Sequence, residues 1–405
     1  MSYTFDIHVD PQEFDAFASV HPLRNLLQSA RWTQIKNNWD SLLTGVRDES
    51  GALVGAGVVL IKRLPLNFSM VYVPRGPVLD FSNQELVDFY VSQLKKAVRK
   101  EHALFIKMDP SAELSRYILS EGAPAQKDYT AVHALCKAGA QWLGETKEIH
   151  ETAQPRYHMG IFKREDWDKG MGSAVAKSVR AARRKHAYVE HVDGTKLTEK
   201  DLDDFSMLMH DVEEKKNISL RGKDYFRHMA DVYGDDCKIF FVKVDPRIRS
   251  AELDKEIAAA QAVLEDENAS RKKRNKAKID LGLLEKEQET FKMLAEKYPG
   301  VTPIAACLQI QYGDYSELIY AGTNDDFRSL HPYCLLYMTQ FQWGFDHGLN
   351  YVTLGGVEGT PEGKLYNFKK QFNCSLVEFA GEFNVPVNRL LYKAALKAYD
   401  KVRGE

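Results

Sequence analysis

Gly355-Gly356-Val357 closes an apolar run containing Val352 and Leu354, and a short polar insert separates it from Gly363-Lys364-Leu365-Tyr366-Asn367-Phe368-Lys369-Lys370. The run reads as a buried strand ending in a glycine pair, with a Phe-Lys pair presented beside its end. Strand ends are where α/β folds place their chemistry, and an ammonium held there can stabilise a developing oxyanion. Taken alone, Lys369 and Lys370 also read as solvated surface lysines. Asp109 follows the apolar stretch Ala103 to Met108 and so stands at a second strand end, either as a base or as a turn residue before Pro110. Lys177, Arg180 and Arg184 recur at helical spacing, a face suited to phosphates, though a charge run also makes a solvated face. Arg221 and Tyr225, four residues apart, can share a helical face or one side of a loop leading into a helix. The nearby Gly172-Ser173-Ala174-Val175-Ala176-Lys177-Ser178 lacks the second glycine of a P-loop, which excludes ATP hydrolysis.

The elements that must position these groups follow from periodicity. Leu53 to Ile61 and Met70 to Val73 read as strands joined by a turn around Pro65 and Asn67. Gln84 to Glu101 carries apolar residues at helical spacing, and Ala103 to Met108 is a short buried strand. That order suggests an acyltransferase-like α/β unit. A second unit begins with the strand Tyr157 to Phe162, followed by a basic helix from Ala176 to His186. Strands at Lys238 to Val244, Ile304 to Gln311 and Leu318 to Gly322 then precede an aromatic helix, Tyr333 to Phe345. Between the first two of these strands, Leu253, Ile257, Ala260 and Leu264 keep heptad spacing, and Leu281, Leu284, Gln288 and Phe291 resume it. An antiparallel helical hairpin fits, with a break from Glu265 to Lys278 as its tip. That tip carries the basic run with Lys272, Lys273, Arg274 and Lys276, whose uses include contact with RNA, a dimer contact or a solvated prop. A basic amphipathic helix closes the reading, with Leu390, Leu391, Ala395 and Tyr399 against Lys393, Lys397 and Lys401. It can pack on the first unit or touch an anionic membrane.

Composition sets bounds. The chain has 405 residues, enough for two domains. With 55 Lys+Arg against 57 Asp+Glu there is no global basic field, so a nucleic-acid partner would be met by local patches. Cys136, Cys237, Cys307, Cys334 and Cys374 are scattered without C-x-x-C spacing, which argues for a reduced cytosolic protein with no metal site. The first residues have neither the basic start nor the apolar core of a signal peptide, and the longest apolar run, Ala52 to Ile61, is too short to cross a bilayer.

The pattern G-G-V followed by G-x-L-Y-x-F-K-x-x-F resembles the signature of the Fem family of peptidoglycan interpeptide-bridge enzymes, which are non-ribosomal, aminoacyl-tRNA-dependent peptidyltransferases. Gln28-Ser29-Ala30-Arg31-Trp32-Thr33-Gln34-Ile35-Lys36 resembles an early segment of that family. Val73-Pro74-Arg75-Gly76-Pro77 and Gln154-Pro155-Arg156 resemble two more, so the similarity runs along nearly the whole chain. Among its branches it looks closest to the MurM type, which adds the first seryl or alanyl residue. The resemblance implies a fold of two tandem GNAT-like (acyl-CoA N-acyltransferase-like) α/β domains. The first would span 1–155, completed by the C-terminal helix 381–405; the second 156–246 and 301–380; and the hairpin arm 247–300. It implies Lys369, Phe368, Asp109 and Tyr320 at the chemistry, and Lys36, Arg75, Arg221 and Tyr225 on the acceptor. Contact with RNA would fall to Lys177, Arg180, Arg184, Lys272, Lys273 and Arg274.

The activity so implied is transfer of Ser, Ala or Gly from aminoacyl-tRNA to the stem-peptide lysine of a lipid-linked or nucleotide-linked peptidoglycan precursor. No cofactor or metal is called for, and the enzyme would be cytoplasmic, with peripheral contact at the inner membrane face allowed. Two other readings stay open. An acyl-CoA-dependent N-acyltransferase would want an R-x-x-G-x-G/A loop, which neither unit contains, and a non-catalytic tRNA-binding factor would need only the basic helix and the arm.

Overall fold

The computed structural model describes residues 2–216 and 221–403, and of residues 211–216, 400, 402 and 403 the backbone only. Along the chain the strands are β1 (Thr4–Asp6), β2 (Asp40–Arg47), β3 (Leu53–Arg63), β4 (Ser69–Val73), β5 (Val78–Leu79), β6 (Ala103–Met108), β7 (Glu113–Ile118) and β8 (Gln141–Trp142). The later half adds β9 (Tyr157–Phe162), β10 (Tyr188–Asp193), β11 (Cys237–Val244), β12 (Thr302–Tyr312), β13 (Tyr315–Thr323), β14 (Tyr351–Val357), β15 (Ser375–Phe379) and β16 (Phe383–Pro386). They form two mixed sheets. The first runs β1-β2-β3-β4-β6-β16-β8 with β5 on β3, and the second β10-β11-β12-β13-β14-β9-β15-β7.

Each sheet contains a parallel pair. β4 and β6 are parallel, so the chain between them must cross over, which it does through the Gln84–Arg99 helix. Asn83 caps that helix, accepting from the Leu86 amide, and Leu86, Val87, Tyr90, Val91, Leu94 and Val98 are buried on its inner face. Each contributes about 1.5–3 kcal/mol of apolar burial. In the second sheet β13 and β14 are parallel only at Tyr315–Tyr351 and Ser316–Val352, after which their ladder ends. The buried Pro332–Asp346 helix precedes β14 and packs Leu335, Leu336, Phe341 and Phe345 into the core of the second sheet.

The two sheets exchange strands. β7, from the first half, pairs with β15 in the second sheet, while β16, from the end of the chain, inserts between β6 and β8 in the first. Of the helix expected over 381–405, Phe383–Pro386 is instead the strand β16 and, among the described residues, only Tyr392–Arg403 is helical; that helix lays Tyr392, Ala395, Leu396 and Tyr399 against Met70, Leu104 and Phe105. A shared core also joins the halves, with Phe14, Trp32, Ile35 and Val58 packed with Phe205, Phe226, Met229 and Tyr312. A site between the sheets is therefore built on one continuous body rather than on a hinge.

The arm is a hairpin of two helices, Pro246–Glu265 and Arg271–Lys297, about 30 and 40 Å long at 1.5 Å per residue. The expected break from Glu265 to Lys278 is shorter than its composition suggests: only 266–270 interrupts the helices. Ser270 caps the second helix by accepting from the Lys273 amide, and lysine and arginine are good helix formers. The basic run is thus the first two turns of a helix, with Ala277 on its buried side.

Candidate active site

The site is organised around Lys369, the last residue of the short Lys364–Lys369 helix. β14 bulges between Thr353 and Gly356 where it meets β9. Gly355 takes φ +78° there, a conformation that disfavours a side chain. The Lys369 ammonium donates to the carbonyls on either side of that residue, Leu354 at 2.6 Å and Gly356 at 2.9 Å. Lys369 is only 7% exposed, whereas Lys370 faces solvent. The side chain expected to meet an oxyanion is therefore fixed and desolvated, and its neighbour is not.

Beside it lie two buried titratable groups that the motifs did not single out. Burial pushes the Glu317 carboxyl up to about 7, against the opposing pull of Arg75 and Lys369. Burial, then Arg75 and Lys369, hold the His158 imidazole well below its usual range and hence neutral. His158 Nδ1 is 3.8 Å from Glu317 Oε1. A glutamate in a strand is ordinary by type, and only its inward register on β13 marks it. His158 directly follows Gln154-Pro155-Arg156-Tyr157, so proximity to that motif was the available signal.

Arg75 ties this cluster to Asp109. Its backbone is left-handed, with φ +53°, and its N–H donates to Asp109 Oδ1 at 2.7 Å. The guanidinium reaches the Pro155 carbonyl at 2.6 Å and His158 Nε2 at 2.8 Å, and lies 4.5 Å from the Phe379 ring centre. At 2% exposure it is a buried tie between β4, β9 and β15 rather than an open contact for a substrate. The Tyr72 hydroxyl donates to the other Asp109 oxygen at 2.8 Å. Burial pushes Asp109 up to about 7, with Arg75 opposing.

Tyr72 is also part of the wall of a cavity of about 510 Å³ that includes Lys36, Trp39, Lys62, Lys107, Gln154 and Tyr399. At its floor Lys107 and Glu382, both buried, form an ion pair. Glu382 also accepts from the Ala153 amide at 2.8 Å. Lys36 sits 5.7 Å from the Trp32 ring, its ammonium held below the usual lysine range by burial and then by the charge of Arg221. Arg221 lies 5.2 Å from the Tyr225 ring centre, and Tyr225 and Tyr320 are edge-on at 6.3 Å. Burial pushes the Tyr320 hydroxyl above its usual range, with Tyr225 adding to the shift and the charge of Arg221 opposing it. The structure thus gathers Lys36, Arg221, Tyr225 and Tyr320, drawn from distant stretches of sequence, into one cationic and phenolic cluster.

Phe368 faces another space, a cavity of about 620 Å³ shared with Ala174, Ser178, Arg328, His331 and Tyr333. Ala174 and Ser178 belong to the Ser173–Arg184 helix, which buries Val175 and Ala182. Lys177, Arg180 and Arg184 stand exposed on the same helix, without an ion pair among the described residues. Lys272, Lys273 and Arg274 are exposed on the arm, away from both cavities. Among the described residues no group of His, Cys, Asp and Glu is placed to hold a metal ion, and no helix is long and apolar enough to cross a membrane.

The second sheet thus parts where β13 and β14 cease to pair, with Lys369 fixed on β14 beside the opening, and residues 9–400 match the FemAB family. The chain belongs to the FemAB family. A "Lipid II:glycine glycyltransferase" of Staphylococcus aureus (strain bovine RF122 / ET3-1) is 26% identical over 411 residues, covering 96% of this chain and 94% of the relative. One of the same description from Staphylococcus haemolyticus (strain JCSC1435) is also 26% identical, covering 98% of this chain and 99% of the relative. A crystal structure of FemX superposes with a TM-score of 0.76 at 26% identity, covering 97% of this chain and 99% of that one. The fold alone is shared with a tandem GNAT protein from the clavulanic acid biosynthesis pathway, at a TM-score of 0.50 and 10% identity. Two GNAT-like units in tandem are therefore the fold of this family member, and its activity is that of a transferase. Both staphylococcal relatives are named for glycine, not for the serine or alanine of the MurM branch.

Proposed function

We propose that this transferase moves an amino acid from aminoacyl-tRNA to the stem-peptide lysine amine of a lipid-linked peptidoglycan precursor, building the interpeptide branch. The observation that carries the reading is that Lys36 belongs to both the Arg221–Tyr225–Tyr320 cluster and the cavity walled by Tyr72, whose hydroxyl holds Asp109. An acceptor with a diphosphate at one end and an amine at the other fits that pairing. Arginine and lysine grip the phosphates, and the cavity leads the amine toward a carboxylate. The names of the relatives favour a lipid-linked acceptor and put glycine first among the small donors.

The amine nitrogen attacks the ester carbonyl carbon of the aminoacyl-tRNA. A C–N bond forms, the C–O bond to the terminal ribose breaks, and the ribose oxygen leaves as a hydroxyl with the second proton given up by the attacking nitrogen. A lysine amine near pKa 10.4 must first lose its proton, at a cost of roughly 4.5 kcal/mol at pH 7. Asp109, poised at about 7, is the base, reached through the Tyr72 hydroxyl. The Lys369 ammonium faces the oxyanion of the tetrahedral intermediate, a donor worth about 3–4 kcal/mol, and Phe368 fixes the approach of the donor through the 620 Å³ cavity. Lys177, Arg180 and Arg184 flank that cavity's Ser173–Arg184 wall and carry the RNA phosphates.

The test is transfer by the purified protein from labelled glycyl-, seryl- and alanyl-tRNA to lipid-linked and nucleotide-linked acceptors. Glycine appearing on the lipid-linked lysine is the expected result. Acylation from acyl-CoA instead, or tRNA binding without transfer, overturns the reading.

A further inference from the structure

Leu66 and Leu390 are 88% and 94% exposed, more than any other large apolar side chain among the described residues. Leu66 tops the Pro65–Asn67 turn with φ +61°, a backbone region that leucine rarely enters. Its neighbours Leu64 and Phe68 pack into the same apolar cluster as Tyr392, Ala395 and Leu396. Leu390 and Leu391 immediately precede that helix. Residues flanking the two bare leucines, from distant parts of the chain, thus meet in one apolar cluster.

Cations surround them. With Tyr392, Ala395, Leu396 and Tyr399 turned inward, Lys393, Lys397 and Lys401 follow one another every fourth residue along the exposed stripe. Arg389 lies close to Lys95 on the Gln84–Arg99 helix, and Arg99 approaches the same ammonium. Arg389, Lys393, Lys397 and Lys401 make no ion pair among the described residues. The nearby acids Asp40 and Glu101 are engaged by Arg63. The face is also continuous with the 510 Å³ cavity, because Trp39 and Tyr399 belong to both and Lys62 sits at the boundary, 5.7 Å from the Trp39 ring.

We propose that this face, with Leu66, Leu390 and Leu391 ringed by Arg389, Lys393, Lys397 and Lys401, docks on an anionic lipid bilayer and sets the mouth of the acceptor cavity at the headgroups. Basic amphipathic helices with apolar side chains at their margin lie in that interface, and each lysine near an anionic surface strengthens binding. RNA would use the cations but has no use for leucines extended into water. The inference rests on the reading of a lipid-linked acceptor, and vesicle binding tests it without requiring catalysis.

The full-length protein is sedimented with vesicles of phosphatidylcholine and phosphatidylglycerol at about seven to three, and with phosphatidylcholine alone. Binding to the mixed vesicles, weakened by salt, is expected. The Leu66→Asp/Leu390→Asp double variant should lower the partition coefficient on the order of a hundredfold, and Lys393→Gln/Lys397→Gln about twentyfold. All four side chains are exposed, so thermal melts should be unchanged. The leucine variant should keep its turnover on a detergent-solubilised lipid-linked acceptor and lose it on the same acceptor in vesicles. Equal binding to neutral and mixed vesicles, or a leucine variant that binds like the wild type, overturns the proposal. So does loss of binding in the lysine variant alone together with reduced affinity for uncharged tRNA, which would make the patch an RNA site. Failed docking with intact transfer would leave the transferase reading standing, and absent transfer with intact docking would remove that reading while leaving the surface in place.

Discussion

Lys369 and the Leu354 carbonyl meet at 2.6 Å across the end of β14, so the ammonium is oriented before any substrate arrives, while Lys370 next to it points into solvent. Preorganised donors of this kind act in the transition state at no reorganisation cost. Lys369→Met should lower kcat about a hundredfold, the equivalent of about 3 kcal/mol. Lys370→Met should change it by less than about twofold. Single-turnover transfer assays on both, with thermal melts to show that each folds, check the assignment. Equal losses in the two variants would refute it.

Much of this arrangement was readable from residue type and spacing. The strands Tyr157–Phe162 and Ala103–Met108 fall where their short apolar runs place them, and the heptads at Leu253 and Phe291 are buried in the arm as their spacing requires. The passage of β7 into the second sheet was not readable, because the partner of so short a segment is chosen by tertiary register rather than by local sequence. Glu317 and His158 escaped for a related reason, since a polar residue in a strand shows its role only once the opposite face is known to be closed. Arg75 was visible as a motif residue, but its left-handed backbone and its hold on Asp109 were not.

The closeness of Lys36 and Arg221 gives a signed pH effect. Burial and Arg221 hold the Lys36 ammonium below the usual lysine range, and a bound diphosphate would favour its charged form. Acceptor binding should therefore take up a proton where free Lys36 is partly neutral, so KM for the acceptor should rise as pH climbs into the alkaline range. Arg221→Gln should raise that KM by about tenfold or more at neutral pH, a loss of about 1.4 kcal/mol or more, and should move the alkaline rise to higher pH. KM for aminoacyl-tRNA should stay nearly constant. Parallel KM–pH profiles for the two substrates distinguish this from a general loss of structure.

Asp109 offers a second titration with a readout in stability. Its carboxyl is pushed from 3.8 up to about 7 in the folded chain, so between those values the folded state holds more protons than the unfolded. Stability must then fall as pH rises through that window. Asp109→Asn keeps an acceptor for the Arg75 amide but cannot ionise. By the same linkage, its melting temperature relative to wild type should rise from about pH 5 to about pH 8. In the same variant kcat/KM should fall at least about a hundredfold, and the wild-type rise of kcat/KM through about pH 7 should vanish. Retention of that rise in the variant would transfer the role of base elsewhere, with Glu317, also near 7, as the next group to replace.

The arm carries its charge at an uncommon place. Arg271, Lys272, Lys273, Arg274, Lys276 and Lys278 occupy the first two turns of a helix, where the positive end of the helix dipole disfavours cations, and Lys272, Lys273, Arg274 and Lys276 are exposed. A polyanion lying across that tip would turn the unfavourable placement into attraction. Replacing Lys272, Lys273, Arg274 and Lys276 with Gln should weaken binding of full-length aminoacyl-tRNA at moderate salt. It should also reduce the slope of log K against log salt by close to one unit for each phosphate that the arm no longer neutralises. A short aminoacylated acceptor-end analogue, too small to reach from the Phe368 cavity to the tip, should bind the variant as it binds wild type. The quadruple variant should also melt no lower than wild type, because the dipole conflict is removed. Filter binding of both donors over a salt series decides the matter. Equal loss for the two donors would mean the arm acts through the fold, and no loss for either would leave it a spacer.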